Sequence, residues 1–197
     1  MTNSTAQSVD YPSSRYALFF VPAVLGLAAD LWTKSWTFAQ PELFQGAQHW
    51  WLWEEHAGIQ LSLNEGALFG MGQGKVWFFT ACSVLAGIAI PVWLFRFGAA
   101  TDAKLTFALG AIMGGVFGNL YDRLGLHDLQ WERFRHDREG AVYAVRDWIL
   151  LQWNDQWVWP NFNIADVLLV CGAASLFLIS VFSAAPETEA ASEKPET

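Results

Sequence analysis

The stretch NFNIADVLLVCGAASLFLISVF, residues 161–182, ends in an apolar run that is long enough to cross a lipid bilayer. Asp166 stands one helical turn into this run, and Asn163 precedes it by three residues. A charged side chain at the centre of a membrane helix costs about 3 kcal/mol on insertion scales. A carboxylate at this depth therefore indicates either a functional group or a cap on the helix N-terminus, where negative charge is favourable.

The composition of the whole chain predicts an all-α integral membrane protein. Of its 197 residues, 53% are apolar and only 15% are charged, whereas charged residues make up about a quarter of soluble domains. The apolar residues form four runs of spanning length, which predict four transmembrane helices in one domain, residues 16–183, with no separate soluble domain. The predicted spans are 16–38, 76–97, 103–121 and 162–183.

The two ends of the chain have a different composition. Residues 1–15 and the acidic residues 184–197 are poor in aromatic side chains and rich in Ser, Thr, Pro and Glu, which predicts disordered tails. Nucleic acid is excluded as a partner, because the chain has a net charge of −8 and lacks a basic stripe that could neutralise phosphates.

Unusual polar residues occur near one end of each predicted span. Four spans return the chain to its starting side, so the end of the first, the start of the second, the end of the third and the start of the fourth share one membrane face. The polar residues at these four ends are Asp30, Lys34, Asn64, Glu65, Asn119, Asp122, Arg123, Asn163 and Asp166. Spacings of three and four residues place the members from one helix on one helical face. The sequence therefore predicts a polar site at one membrane interface.

The connections at this face differ in character. Alternating apolar residues at 59–63 predict a strand, and the tryptophan-rich stretch 141–159 predicts an amphipathic segment at the membrane surface. Residues 124–140 form a charged insertion that we expect to be solvated.

In the third span, Gly110, Gly114, Gly115 and Gly118 include small-xxx-small pairs, which allow helices to approach closely.

Two carboxylates are the groups best suited to chemistry at this site. The sequence has no HExxH motif, no GxSx elbow and no metal-type cysteine spacing, so we expect neither a metal nor another cofactor. Cys82 and Cys171 are expected to be small buried hydrophobes. Two carboxylates can hydrolyse an amide if one is ionised and activates a water while the other, protonated, donates to the carbonyl oxygen.

Asp166 is one candidate for such a pair. Asp147 is the preferred partner, because apolar residues flank it in a surface segment, whereas Asp30 and Asp122 have cationic neighbours at Lys34 and Arg123 that predict ion pairs. Asp155 also remains an alternative. The sequence NIAD does not match the GxGD motif of another class of aspartyl peptidase. A small transporter or channel is the non-enzyme alternative, but its charged residues would more often lie near the bilayer midplane, whereas these lie at one end of the spans.

Five motifs, taken together and in this order, resemble those of the lipoprotein signal peptidases, or signal peptidase II. They are Asp30–Lys34 (DLWTK), Leu63–Gly70 (LNEGALFG), Gly114–Arg123 (GGVFGNLYDR), Val145–Trp148 (VRDW) and Phe162–Asp166 (FNIAD). The resemblance implies an aspartyl endopeptidase that cuts prolipoproteins before a diacylglyceryl-modified cysteine. It implies Asp147 and Asp166 as the catalytic pair. It further implies substrate-binding or dyad-supporting roles for Asn64, Asn119, Arg123 and Asn163, and structural or supporting roles for Asp30, Lys34, Gly66, Asp122 and Ala165.

The same resemblance implies further features of fold and location. These are a β-cradle after the first helix, a short interfacial helix before the fourth, and a location in the bacterial inner membrane with both termini cytoplasmic and the site extracytoplasmic. We also expect the protein to be a monomer. Its partners are prolipoproteins and membrane lipids. A catalytically inactive homologue is the alternative within the family.

Three features of the sequence depart from this expectation. Residues 124–146 place 23 residues between Arg123 and Asp147, more than the family usually has, and Trp148 stands where the family motif has Phe. Seven of the 11 Lys and Arg residues lie in the two connections of the polar face, so the positive-inside rule weakly favours the cytoplasm for that face.

Overall fold

The computed structural model describes residues 11–44, 49–66, 72–154 and 156–183. Within these ranges, four helices are long and apolar enough to cross a membrane. They are α1 (Ser13–Thr37), α2 (Val76–Arg96), α3 (Ala103–Arg123) and α4 (Ile164–Ser183). Each overlaps one predicted span. Residues 13–15, predicted to belong to a disordered tail, form the first turn of α1, whereas 1–10 and 184–197 lie outside the described residues.

Helix α3 lies at the centre of the bundle. In its most apolar stretch 56% of the residues are buried, against 22%, 11% and 17% in α1, α2 and α4. The glycines of α3 explain this, since a Cβ atom at Gly114 would lie 2.9 Å from the carbonyl oxygen of Ala23 in α1, and one at Gly115 would lie 2.5 Å from that of Ala165 in α4. The predicted close approach of helices at these glycines is therefore confirmed.

The two cysteines lie on the outside of the bundle. Cys82 in α2 and Cys171 in α4 are both exposed, so the prediction that they are buried was wrong. Both belong to helices that flank α3 and leave most of their surface uncovered by protein. Apolar side chains on such a surface face hydrocarbon, and hydropathy alone does not distinguish them from side chains buried in the bundle.

A four-stranded antiparallel sheet lies at one end of the bundle. Its strands are β1 (Trp50–Trp53), β2 (Ala57–Asn64), β3 (Val145–Asn154) and β4 (Trp157–Phe162), paired in chain order. The strand predicted at 59–63 is therefore confirmed. The prediction of a short interfacial helix before α4 was wrong, because the β3–β4 hairpin occupies that segment. Pairing of β3 with β2 places Asp147 opposite Ser62.

The segment between α3 and β3 is partly packed. Gln130 and Ala141 form an isolated bridge, and a short 3-10 turn covers Trp131–Arg133. Trp131 is only 6% exposed and packs with Val142 and Ala144. The expectation of a solvated insertion holds for most of its charged side chains, but Trp131 anchors the segment to the protein.

Candidate active site

Asp147 lies near the start of β3 and is almost completely buried, with 2% of its surface exposed. Its two carboxyl oxygens have different donors. Asn163 Nδ2 donates to Oδ1 at 2.6 Å, and Asn64 Nδ2 donates to Oδ2 at 3.2 Å. Burial, reinforced by the negative charge of Asp166, raises the pKa of Asp147 to about 8. At neutral pH this side chain therefore retains a proton.

Asp166 lies in the first turn of α4, where it takes part in a reciprocal cap. Asn163 Oδ1 accepts from the backbone N–H of Asp166 at 3.0 Å, and Asp166 Oδ2 accepts from the backbone N–H of Asn163 at 3.2 Å. This geometry is a capping box. The capping role considered for Asp166 is thus present, but it uses Oδ2, while Oδ1 accepts from Asn119 Nδ2 at 2.9 Å.

Two asparagines connect the aspartates. Asn163 Nδ2 contacts Asp147 and also donates to Asn119 Oδ1 at 3.3 Å. Asn119 Oδ1 further accepts from Lys34 Nζ at 3.0 Å. Because two donors meet its oxygen, the amide of Asn119 is oriented with its nitrogen towards Asp166. The structure thus links Asp147, Asp166, Asn119 and Asn163, all of them predicted site residues, in one hydrogen-bonded group.

A buried ion network lies beside these residues. Lys34 Nζ is 2.7 Å from Asp30 Oδ2 and 3.0 Å from Asp122 Oδ2, and all three side chains are fully buried. The predicted Asp30–Lys34 pair is confirmed. The predicted structural salt bridge of Asp122 is also confirmed, but its partners are Lys34 and Arg146, whose guanidinium lies 2.8 Å from Asp122 Oδ1, and not the neighbouring Arg123. Adjacent residues of a helix do not face each other, which explains why Arg123 is not a partner.

Asp30 also connects the first and last helices. Its Oδ1 accepts a hydrogen bond from the backbone N–H of Ala165 at 2.9 Å. Gly118 makes room for this contact, because a Cβ atom at that position would collide with Asp30 Oδ2. The completely buried Ala165 lies directly before Asp166, so Asp30 fixes the backbone that carries one of the two aspartates.

Arg123 faces the segment that follows β2. Its terminal nitrogen donates to the carbonyl oxygen of Gly66 at 3.0 Å, and its guanidinium lies 5.6 Å from the ring centre of Phe79. Among the described residues, its buried Nε atom has no hydrogen-bond partner. Arg123 therefore retains one donor beside the site.

Three polar residues at the site were missed by the sequence analysis, namely Gln73, Arg138 and Arg146. Gln73 Nε2 donates to Asn64 Oδ1 at 3.1 Å, and Arg138 pairs with Glu65. The backbone N–H and the Nε atom of Arg146 bind Asp122 at 2.9 and 3.0 Å. Only Arg146 had a local signal, since a charged residue between Val145 and Asp147 in a buried strand requires a partner.

A groove of about 310 Å³ opens onto Asp147. Asn64, Gln73, Ser62 and Asn161 are among its lining residues. In the described ranges, no three His, Cys, Asp or Glu side chains group to hold a metal ion. Asp155, the remaining alternative partner for Asp166, lies outside the described residues.

Comparison with known proteins places the chain in a family. The family model described as signal peptidase (SPase) II matches residues 22–182. A lipoprotein signal peptidase of Rhodopirellula baltica is 48% identical over 177 residues, covering 90% of this chain and 77% of that protein. One from Rhodococcus jostii is 30% identical over 174 residues, covering 88% of this chain and 77% of that protein.

The fold also matches solved structures. One bacterial membrane enzyme aligns with a TM-score of 0.68 at 20% identity, covering 94% of this chain and 96% of that one. A second aligns with a TM-score of 0.63 at 22% identity, covering 89% and 96%. Four membrane-spanning helices, a small antiparallel sheet and a sequence match over most of the chain thus agree, and the chain belongs to the signal peptidase II family of bacterial multi-pass membrane proteases.

Proposed function

We propose that this chain is an aspartyl endopeptidase that removes the signal peptide from diacylglyceryl-modified prolipoproteins, with Asp147 and Asp166 as its catalytic pair. The observation that carries the proposal is the link between these two carboxyl groups. They come from a strand and a helix 19 residues apart, and Asn119 of α3, which is 47 residues from Asp166, joins them through Asn163 in one buried group. This group lies where α1 and α3 contact β3.

The two aspartates divide the acid and base roles. Asp147 carries the proton, because burial and the neighbouring negative charge disfavour its ionised form. Asp166 is the ionised partner, supported by the donors Asn119 Nδ2 and the backbone N–H of Asn163. Such a pair binds one proton between two sites and titrates as a unit.

Hydrolysis then follows in two steps. Asp166 removes a proton from a water molecule, the water oxygen attacks the scissile carbonyl carbon, and Asp147 donates its proton to the carbonyl oxygen. In the second step Asp166 donates its proton to the amide nitrogen, and Asp147 takes a proton back from the tetrahedral intermediate as the C–N bond breaks. The products are a signal peptide with a new carboxyl group and a lipidated cysteine with a free amine.

The surroundings of the pair suit this substrate. A signal peptide is an apolar helix, and it leaves the hydrocarbon at the same level at which α4 begins. The buried Nε atom of Arg123 is placed to donate to a backbone carbonyl of the bound substrate. The groove at Asp147 receives the polypeptide around the scissile bond.

Location and assembly are part of the proposal. Four spans return the chain to its starting side, so the two termini share one face of the membrane. We place that face in the cytoplasm and the site on the extracytoplasmic side of the bacterial inner membrane, and we propose that the enzyme acts as a monomer. The positive-inside count is the weaker criterion here, because Lys34 and Arg146 are buried in ion pairs rather than exposed in loops.

The test uses purified protein in detergent and a prolipoprotein that carries the diacylglyceryl group. Release of the signal peptide is followed on a gel for wild type, Asp147→Asn, Asp166→Asn and the control Asp137→Asn, whose exposed carboxylate pairs with nearby Arg135. We expect cleavage by wild type and the control and a loss of at least about 10²-fold in both dyad variants, each of which remains folded.

The other outcomes lead to different conclusions. Cleavage by Asp147→Asn at the wild-type rate contradicts the assignment of Asp147 and leaves Asp155 as the next partner to test. Failure of folded wild type to release any signal peptide favours the transporter or the inactive homologue.

A further inference from the structure

Residues 64–66, which connect β2 to the segment before α2, contact the catalytic group at two points. Asn64 Nδ2 donates to Asp147 Oδ2, and the carbonyl oxygen of Gly66 accepts from Arg123. The position of these three residues therefore controls one of the donors to Asp147. Among the described residues, Gln73 and Arg138 make side-chain contacts that help to hold them in place.

The first contact comes from Gln73 and orients the amide of Asn64. Asn64 Oδ1 accepts from Gln73 Nε2 at 3.1 Å and from the backbone N–H of Gly66 at 2.9 Å. Because two donors meet the oxygen, the nitrogen of the amide turns towards Asp147. Gln73 Oε1 in turn accepts from the backbone N–H of Glu65 at 3.2 Å, so one side chain binds two consecutive residues.

The backbone around Gln73 is shaped for this contact. Gly72 and Gly74 have φ angles of +70° and +80°, which residues with a Cβ atom rarely adopt. The turn closes with a hydrogen bond of 3.1 Å from the N–H of Lys75 to the carbonyl of Gly72. The sequence GQG at 72–74 thus directs the glutamine back onto residues 64–66.

The second contact comes from the segment between α3 and β3. Arg138 binds Glu65 through two hydrogen bonds, of 2.9 and 3.0 Å, one to each carboxylate oxygen. The guanidinium of Arg138 also lies 3.7 Å from the ring centre of Trp131, which is itself buried. The ring of Trp131 therefore helps to fix the guanidinium of Arg138 in the orientation that two parallel hydrogen bonds to one carboxylate require. These hydrogen bonds lower the pKa of Glu65, so the pair stays ionised at neutral pH.

We propose that Arg138 and Gln73 are positioning residues for catalysis, which clamp residues 64–66 so that Asn64 donates to Asp147. This inference rests on the proposed function, because it assigns the clamp to that catalytic pair. An exposed ion pair contributes little to global stability. The clamp acts instead on the position of Asn64, whose side-chain nitrogen donates to Asp147.

Loss of the clamp has a directional effect on Asp147. The groups that face this carboxyl are Asn64 from β2, Asn163 from the residue before α4, Asp166 from α4, Lys34 from α1 and Arg123 from α3. A hydrogen bond from Asn64 favours the ionised form of Asp147, so its loss raises the pKa of Asp147 further. The fall in activity at high pH then moves to still higher pH.

The experiment compares the single variants Arg138→Gln, Arg138→Glu, Glu65→Arg and Gln73→Leu with the exchanged pair, in which Arg138→Glu and Glu65→Arg are combined. The control is Arg135→Gln, which removes the same charge from the same segment but pairs with Asp137 instead of residues 64–66. The first readout is amide hydrogen exchange of Glu65 and Gly66 in detergent, which requires no substrate. The second is kcat, KM and the pH profile on the lipidated prolipoprotein.

We expect each single variant to exchange faster at Glu65 and Gly66 and to lose kcat by about tenfold with KM nearly unchanged. The exchanged pair recovers much of both, and the control matches wild type. The proposal is overturned if Arg138→Gln matches the control in exchange, or if the exchanged pair is no better than its single variants. If wild type cuts no prolipoprotein, the proposed function fails, while the exchange result still decides whether the clamp exists.

Discussion

Asn163 and Asp147 are joined by a hydrogen bond of 2.6 Å, although one residue precedes α4 and the other lies in β3. Asn163 also caps the helix turn that contains Asp166. The same side chain therefore fixes the start of the helix and the distance between the two aspartates. Any movement of the hairpin relative to α4 changes both, so the arrangement of the two aspartates and the local folding of α4 depend on one asparagine.

Asn163→Ala is expected to lower kcat/KM by about 10- to 100-fold, because it removes the side-chain hydrogen bonds to Asp147, Asn119 and the backbone N–H of Asp166, each of which contributes about 1 kcal/mol. The first of these hydrogen bonds also favours the ionised form of Asp147, so the high-pH limb of the profile moves to higher pH. Initial rates on a lipidated prolipoprotein across a pH series provide the measurement. Asn154→Ala, at the far end of the hairpin, is the matched control. An unchanged pH profile in Asn163→Ala contradicts this prediction.

The activity of wild type is expected to fall as pH rises through about 8. Asp147, whose pKa is raised to about 8 by burial and by the charge of Asp166, loses its proton in that range, and the pair is left without an acid. The measurement is kcat/KM between about pH 6 and pH 10. Enzyme returned from high pH to neutral pH must regain its rate, which separates titration from unfolding. A rate that still increases well above pH 8 excludes Asp147 as the proton donor.

Lys34→Met is expected to destabilise the protein by about 3–5 kcal/mol. The substitution leaves the carboxylates of Asp30 and Asp122 buried without the cation that lies between them. Unfolding in detergent, followed by intrinsic tryptophan fluorescence, measures the loss. Lys104→Met removes an exposed lysine at the other end of the bundle and is expected to match wild type. Equal stability of the two variants contradicts the prediction.

Gly118→Ala is expected to destabilise the bundle by about 1–3 kcal/mol and to reduce activity as well. The added methyl group collides with Asp30 and displaces the carboxylate from the N–H of Ala165. Thermal unfolding and signal-peptide release provide the two measurements. The control Gly87→Ala places a methyl group 3.1 Å from the ring of Phe117, whose side chain can shift, so its effect is expected to be smaller. Larger effects from Gly87→Ala would contradict this interpretation.

The sequence was sufficient for the features that are encoded locally. Apolar runs of spanning length predict the four helices, and the spacing of Asp30 and Lys34 predicts their ion pair. The glycines of the third span predict close packing, and the structure shows backbone carbonyls of α1 and α4 at that face of α3. Each of these features depends on neighbours within one or two helical turns.

Features that depend on distant pairing were not predictable in the same way. Trp148–Trp159 carries strand-forming and amphipathic residues together, and only pairing with β2 makes it a hairpin instead of a helix. The partners of Asp122 lie 88 residues upstream, at Lys34, and 24 residues downstream, at Arg146. Gln73 and Arg138 belong to segments that periodicity describes simply as loops, so no local pattern indicated their contacts.

The hydrogen bond from the N–H of Ala165 to Asp30 spans 135 residues of chain. During synthesis, Asp30 therefore enters the membrane long before its last partner has left the ribosome. Lys34, four residues away, pairs with Asp30 within the same helix, whereas the N–H of Ala165 reaches Asp30 only once the fourth span has been made. A chain that has not been translated through this span also lacks Asp166, so the hydrogen-bonded group that joins Asp147 to Asp166 can form only at the end of synthesis.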